Sequence, residues 1–205
     1  MTRKTDHAAR ALDAALELAA TRPWRSVSLG DIARAADLTL LQLHAVYASK
    51  NAILDGLSAR IDGVVLADSG SDLDGEPARD RLFDVLMRRL EAQAPQRDAL
   101  RSVARATCGD PLAAAAALCR LQRSMRWMLE AAGIDSSGPA GRLRTRALVL
   151  LYADVMRVWF ADESPDLGKT MVALDRRLDQ ADRAATRLAG FGRKAARREG
   201  ETAAA

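Results

Sequence analysis

Apolar residues along the first quarter of the chain recur at steps of three and four, the period of an amphipathic helix. Leu12, Ala15, Leu16 and Ala19 form one such face and predict a helix over about residues 5–21, which Pro23 must break. Ile32, Ala33 and Ala36 make a second inward face, and Ile53, Leu54, Leu57 and Ile61 a longer one. Polar residues at the edges of these runs are start signals. Ser28 with Asp31, and Thr39 with Gln42, have the spacing of a capping box, in which the two side chains satisfy backbone N–H groups that a first helical turn leaves unpaired. Leu38 and Leu43 bracket the second box at the positions of a hydrophobic staple. Ser49 caps the helix that follows. The pattern over residues 24–57 is two short helices joined by a tight turn and then a longer helix, the layout of a helix-turn-helix.

The turn-rich stretch Ser69-Gly70-Ser71-Asp72-Leu73-Asp74-Gly75 is the candidate boundary between units. Beyond it, Pro77 opens a helix reaching about Ala94, and Pro95 another ending near Cys108. Asp110-Pro111 is a cap followed by proline at the first helical position, leading a helix to Gly133. A loop rich in Gly and Ser precedes a long helix from about Pro139 to Asp162, and Ser164-Pro165 starts the last, to about Gly190. The all-apolar stretch Ala147–Tyr152 predicts burial on every side. Met171, Leu174, Leu178, Ala181, Ala185 and Leu188 form a stripe suited to packing on another helix, within the chain or in a second copy.

Composition sharpens this picture. Of 205 residues only 4% are aromatic, so Leu, Val, Ala and Met must fill the core, and scarce β-branched residues favour helix throughout. The expected class is all-α. The net charge of +4 permits an anionic partner without demanding one. Residues 184–198 hold no acid but carry Arg187, Arg193, Lys194, Arg197 and Arg198, which suits either a solvated tail or a contact for phosphate groups. Cys108 and Cys119 do not make a disulfide framework and are expected as small buried side chains in a reducing compartment. No secretory signal and no membrane-length apolar run is visible, so the cytoplasm is the default location.

Catalytic chemistry finds little support. His7 and His44 stand beside no nucleophile motif, the glycines make no phosphate-cradling loop, and no Cys/His spacing suits zinc. No enzyme activity, metal or cofactor is expected. Met125, Met128, Tyr152, Met156, Trp159 and Phe160 supply bulky, adaptable side chains that suit an apolar ligand cavity, or else plain core.

The segments Val27-Ser28-Leu29-Gly30-Asp31-Ile32-Ala33-Arg34-Ala35-Ala36-Asp37-Leu38-Thr39 and Leu43-His44-Ala45-Val46-Tyr47-Ala48-Ser49-Lys50-Asn51-Ala52-Ile53-Leu54 resemble the amino-terminal domain of TetR-family transcriptional regulators. The resemblance implies an all-α fold of about nine helices: a three-helix, helix-turn-helix DNA-binding domain over residues 1–50, then a helical ligand-binding and dimerisation bundle over 51–190. A basic flexible tail over 191–205 completes this division. It further implies a homodimer on a double-stranded DNA operator, acting as a repressor and released by a small hydrophobic ligand. Carried onto this chain, Ser28 and Lys50 would reach phosphate, and Thr39, Leu40, Leu41 and Gln42 would face the major groove, with Gln42 on an adenine edge. Three features depart from the family. Asp37 stands where glycine is favoured in the turn, His44 stands where a phosphate-contacting tyrosine is usual, and Leu40 and Leu41 make the reading helix apolar.

Trp159, Asp162, Ser164, Thr170 and Leu174-Asp175-Arg176-Arg177-Leu178 are similar to the end of coenzyme Q biosynthesis accessory proteins, which share the fold. That likeness implies the alternative of a lipid-binding accessory protein in contact with membrane lipid, which does not read DNA.

Overall fold

The computed structural model describes the backbone of residues 2–67 and 75–203, and the side chains of residues 4–67 and 75–187. Nine α-helices run through the described residues: α1 (Thr2–Thr21), α2 (Leu29–Ala35), α3 (Leu40–Val46), α4 (Lys50–Ala67), α5 (Ala78–Ala92), α6 (Arg97–Thr107), α7 (Pro111–Ala131), α8 (Gly138–Ala161) and α9 (Gly168–Ala203). Among the described residues there is no strand, so the all-α expectation holds. The candidate boundary at residues 69–74 lies outside the described residues. The side chains of the expected basic tail, residues 191–205, and Leu188 of the stripe do so as well.

Buried apolar side chains gather in two clusters. The first joins α1, α2, α3 and most of α4, and includes Leu12, Trp24, Ile32, Leu43, Ile53 and Leu57. The second joins α5, α7, α8 and α9 around Leu86, Met125, Tyr152, Trp159 and Leu174. α4 serves both: Ile53, Leu54, Leu57 and Ile61 enter the first cluster and Val65 the second.

The start signals work as the spacing requires. The Ser28 hydroxyl oxygen accepts from Asp31 N at 3.1 Å while the Asp31 carboxylate accepts from Ser28 N at 3.0 Å. Thr39 and Gln42 form the second reciprocal pair, at 3.2 and 2.8 Å. Each pair satisfies two otherwise unpaired N–H groups, worth about 1 kcal/mol per cap. Asp110 accepts from Leu112 N at 2.9 Å and Ala113 N at 3.1 Å, with Pro111 opening α7. Gly133, at a φ of 68°, ends that helix in the left-handed conformation that glycine adopts freely. The first turn of α8 then folds back so closely that a Cβ on Gly141 would fall 2.0 Å from the Ser136 carbonyl carbon.

Several expectations from the pattern are corrected. The last helix begins at Gly168, not Ser164, because Asp162 holds the corner open ahead of it. The Asp162 carboxylate accepts from Ser164 N at 3.1 Å, Thr170 N at 2.8 Å and Thr170 Oγ1 at 2.7 Å, and also from the Ser164 hydroxyl. Burial by itself would raise the Asp162 pKa, but these hydrogen bonds outweigh it and hold the carboxyl well below the usual range. Pro95 lies in a single 3-10 turn, and α6 starts only at Arg97.

Cys108 and Cys119 are exposed, not buried. Cys108 follows the last residue of α6, and Cys119 lies on the outer face of an alanine-rich helix whose buried residues begin only at Ser124 and Met125. Small residues on every side of a helix give no signal of which face is covered. The stretch Ala147–Tyr152 is likewise not buried all round. Leu148, Val149 and Tyr152 are core, while Leu150 is 73% exposed, on the same side as Leu143 at 63%. On α9, Leu174 and Leu178 of the expected stripe are buried, whereas Met171, Ala181 and Ala185 are exposed.

Candidate functional site

Helix α3 presents one open face. Thr39, Leu40, Leu41, Gln42 and His44 are all exposed, with Leu41 at 78%, while Leu43 on the opposite side is fully buried. Two bulky leucines left in water at the start of a short helix are an apolar surface that none of the described residues covers. Ser28, also exposed, stands at the start of α2, where unpaired N–H groups and the helix dipole favour an anion.

Asp37 occupies the turn between α2 and α3 with a φ of 51°. Asp tolerates this left-handed geometry better than most residues. Arg10 of α1 holds it there, donating to Ala36 O at 2.5 Å, to Asp37 O at 3.0 Å and to the Asp37 carboxylate at 3.3 Å. The negative charge placed near the open face is therefore paired. Arg22 meets Asp31 in the same way at 3.0 Å. Hydrogen bonds from Ser28, backbone first and then side chain, lower the Asp31 pKa to about 2, with Arg22 and Arg34 adding to the effect.

Gln42 and Lys50 are more committed than their sequence positions suggest. Gln42 Oε1 accepts from Thr39 N, which uses one of its two lone pairs and leaves the amide nitrogen out of the cap. The side chain can therefore donate to guanine O6 or N7, thymine O4 or adenine N7, and its second lone pair can accept from adenine N6. The Lys50 ammonium donates to Trp24 O and Val27 O, both at 2.6 Å, and rests 4.3 Å from the centre of the Trp24 ring. Burial lowers its pKa. Lys50 thus ties the start of α4 to the segment ahead of Ser28.

An apolar cavity of about 360 Å³ opens between α4, α5, α6, α7 and α8. Leu57, Ile61, Leu100, Val103 and Leu121 line it together with Tyr152, Met156 and Phe160. Three of the six residues expected there are thus brought together. Met125, Met128 and Trp159 are fully buried in the second cluster and do not line the cavity. They pack behind it, because helical spacing alone does not tell a cavity wall from the core that supports it.

Arg89 and Gln93 of α5 line the same cavity and escaped the sequence reading. Their signal was present. Both fall in register with Leu82, Val85, Leu86 and Leu90, polar residues on an otherwise apolar stripe. Gln93 donates to Tyr152 Oη and Met156 Sδ, each at 3.0 Å. Arg89 lies 3.1 Å from Asp62, whose carboxylate also accepts from Ser124 Oγ at 2.5 Å.

Helix α6 stands between cavity and head. Ala99 is buried in the first cluster, and Ser102 Oγ accepts from Trp24 N at 3.0 Å. Arg25 donates to Ala106 O at 2.8 Å. On its other side Leu100, Val103, Ala104 and Thr107 face the cavity. Arg97 and Arg101 cap the end of α8 by donating to Asp162 O and Phe160 O.

No family model and no curated protein matches the chain. Solved structures do. A TetR transcriptional regulator from Nitrosomonas europaea ATCC 19718 superposes with a TM-score of 0.70 at 26% identity, over 85% of this chain and 97% of that one. A TetR transcriptional regulator from Rhodococcus sp. RHA1 gives a TM-score of 0.60 at 21% identity, over 87% of this chain and 96% of that one. Among the described residues no helix is long and apolar enough to cross a membrane.

Proposed function

We propose that this chain, a TetR-type transcriptional regulator, works as a homodimeric repressor that a small hydrophobic ligand releases from its operator. Residues 1–50 are then the DNA-binding unit and 51–190 the ligand-binding and dimerisation unit. The observation that carries this reading is the open face of α3, with Thr39, Leu40, Leu41, Gln42 and His44 exposed together beside Ser28. Phosphate contacts from Ser28, His44 and the remaining Lys50 N–H fix orientation. Gln42 and the two leucines, packing on thymine methyls, read sequence.

The outer side of α8 and the start of α9 support the homodimer. There Leu143, Leu150, Met171 and Val172 are exposed apolar residues on the two helices that pack on each other. Release follows from α6. Its cavity side and its head side are one rigid helix, so a ligand that displaces Leu100 and Val103 also displaces the support of Trp24. The ligand acts only as far as it binds the released arrangement better than the DNA-bound one.

The test is titration of the protein against its own upstream DNA at several salt concentrations. The expected result is binding about a thousandfold or more tighter than to random DNA of equal length. Equal affinity for both, with the same steep salt dependence, would show charge attraction alone and remove this reading.

A further inference from the structure

The seam between head and body holds a second concave site, which the proposed function leaves unused. It is a groove of about 490 Å³ between the end of α1, the 3-10 turn Trp24–Ser26 and α6. Four arginines line it, Arg22, Arg25, Arg101 and Arg105, against one acid, Asp98, among the described residues.

Two of these four charges are matched. Arg22 meets Asp31 at 3.0 Å, and Arg101 meets Asp98 at 2.8 Å. The other two lack a carboxylate. Arg25 donates to Ala106 O, a backbone carbonyl that carries no net charge. Arg105, exposed on α6, has no hydrogen bond or ion pair among the described residues. It also stands four residues after Arg101 on the same helix, a like-charge spacing that weakens a helix. A concave site lined by one sign of charge focuses its field and raises the local concentration of counter-ions.

The unmatched charges set what fits. A guanidinium presents a planar fork of donors that suits the paired oxygens of a carboxylate or phosphate. A single negative charge would leave one of the two arginines unmet. The volume suits a small molecule. No residue of α2 or α3 lines the groove, so it is separate from the open face of α3.

We propose that this groove binds a compact anion with two or more negative charges, carried on carboxylate or phosphate groups and held by Arg25 and Arg105. The anion would sit where α1 packs on α6 and where Arg25 already ties the head to that helix.

Calorimetric titration of the full-length protein at neutral pH and one ionic strength compares citrate, pyrophosphate and acetate. Citrate or pyrophosphate is expected to bind at least about tenfold more tightly than acetate, and the tighter of the two tells a carboxylate ligand from a phosphate one. Arg105→Gln is expected to weaken that binding about tenfold, through the loss of one charge-assisted contact. Its side chain supports no other part of the fold, which thermal unfolding verifies. Arg126→Gln removes an exposed arginine of α7 outside the groove and is expected to change binding less than about twofold.

Binding of both polyanions no tighter than acetate overturns the proposal. Equal weakening by Arg105→Gln and Arg126→Gln does so too, because it shows general charge attraction. So does a loss of DNA affinity in Arg105→Gln when the unaltered protein takes up neither polyanion, which assigns the groove to the nucleic-acid backbone.

Discussion

Gln42 caps α3, and the proposed function asks the same side chain to contact a base. Glu in its place keeps an oxygen for Thr39 N but has no N–H to donate. The variant Gln42→Glu is therefore expected to hold thermal stability within about 0.5 kcal/mol, since the cap survives. Operator affinity should fall by about 1–3 kcal/mol, the worth of a good base contact. Chemical unfolding and a DNA-binding titration at fixed salt measure the two halves separately, and unchanged operator affinity would remove Gln42 from the reading set. Both capping boxes were legible in the sequence because their partners stand three residues apart, where backbone geometry leaves little choice. The Arg10–Asp37 contact was not legible. Its partners are far apart in the chain and meet only once α1 has packed across α2 and α3.

Among the elements, α6 is the shortest of the helices beyond α4 and touches the most unlike surroundings. Ser102 Oγ accepts from the Trp24 backbone N–H and Ala106 O from the Arg25 side chain, while Val103 and Thr107 face the cavity. A larger residue on the cavity side should imitate an occupant. Val103→Phe is expected to weaken operator binding about three- to tenfold with no ligand present, a shift of roughly 1 kcal/mol, in the range of known couplings between sites. Circular dichroism melting checks that the overpacking cost, typically about 1–3 kcal/mol, has not unfolded the protein. Operator affinity equal to that of the unaltered chain would show that α6 does not transmit. Helix order and most helix ends could be read from the pattern, because period and caps are local. The two faces of α6 could not, since Leu100 and Val103 look like core residues whether they adjoin a cavity or solid packing.

For the whole molecule, the surface to test is the apolar side of α8 and α9 that the described residues leave uncovered. Leu143 is 63% exposed, Leu150 73% and Val172 59%, more apolar area than an isolated surface residue explains. Leu150→Glu is expected to shift the protein from dimer to monomer in sedimentation equilibrium and to leave each chain folded, because Leu150 contributes nothing to either core cluster. Two reading heads held together bind far better than one, so operator affinity should drop by about a hundredfold or more. A variant that still sediments as a dimer would move the interface elsewhere. The sequence announced this surface ambiguously. A run of six apolar residues reads as burial on all sides, and only the placement of α5, α7 and α9 shows which side the described residues cover and which they leave open.

Gly141 imposes a limit of another sort, on heredity. Any base change that alters the amino acid puts carbon where the Ser136 backbone already lies. At this codon only synonymous changes leave the corner intact. Its constancy in a mutant library would record a crowded bend and say nothing about which operator the protein reads.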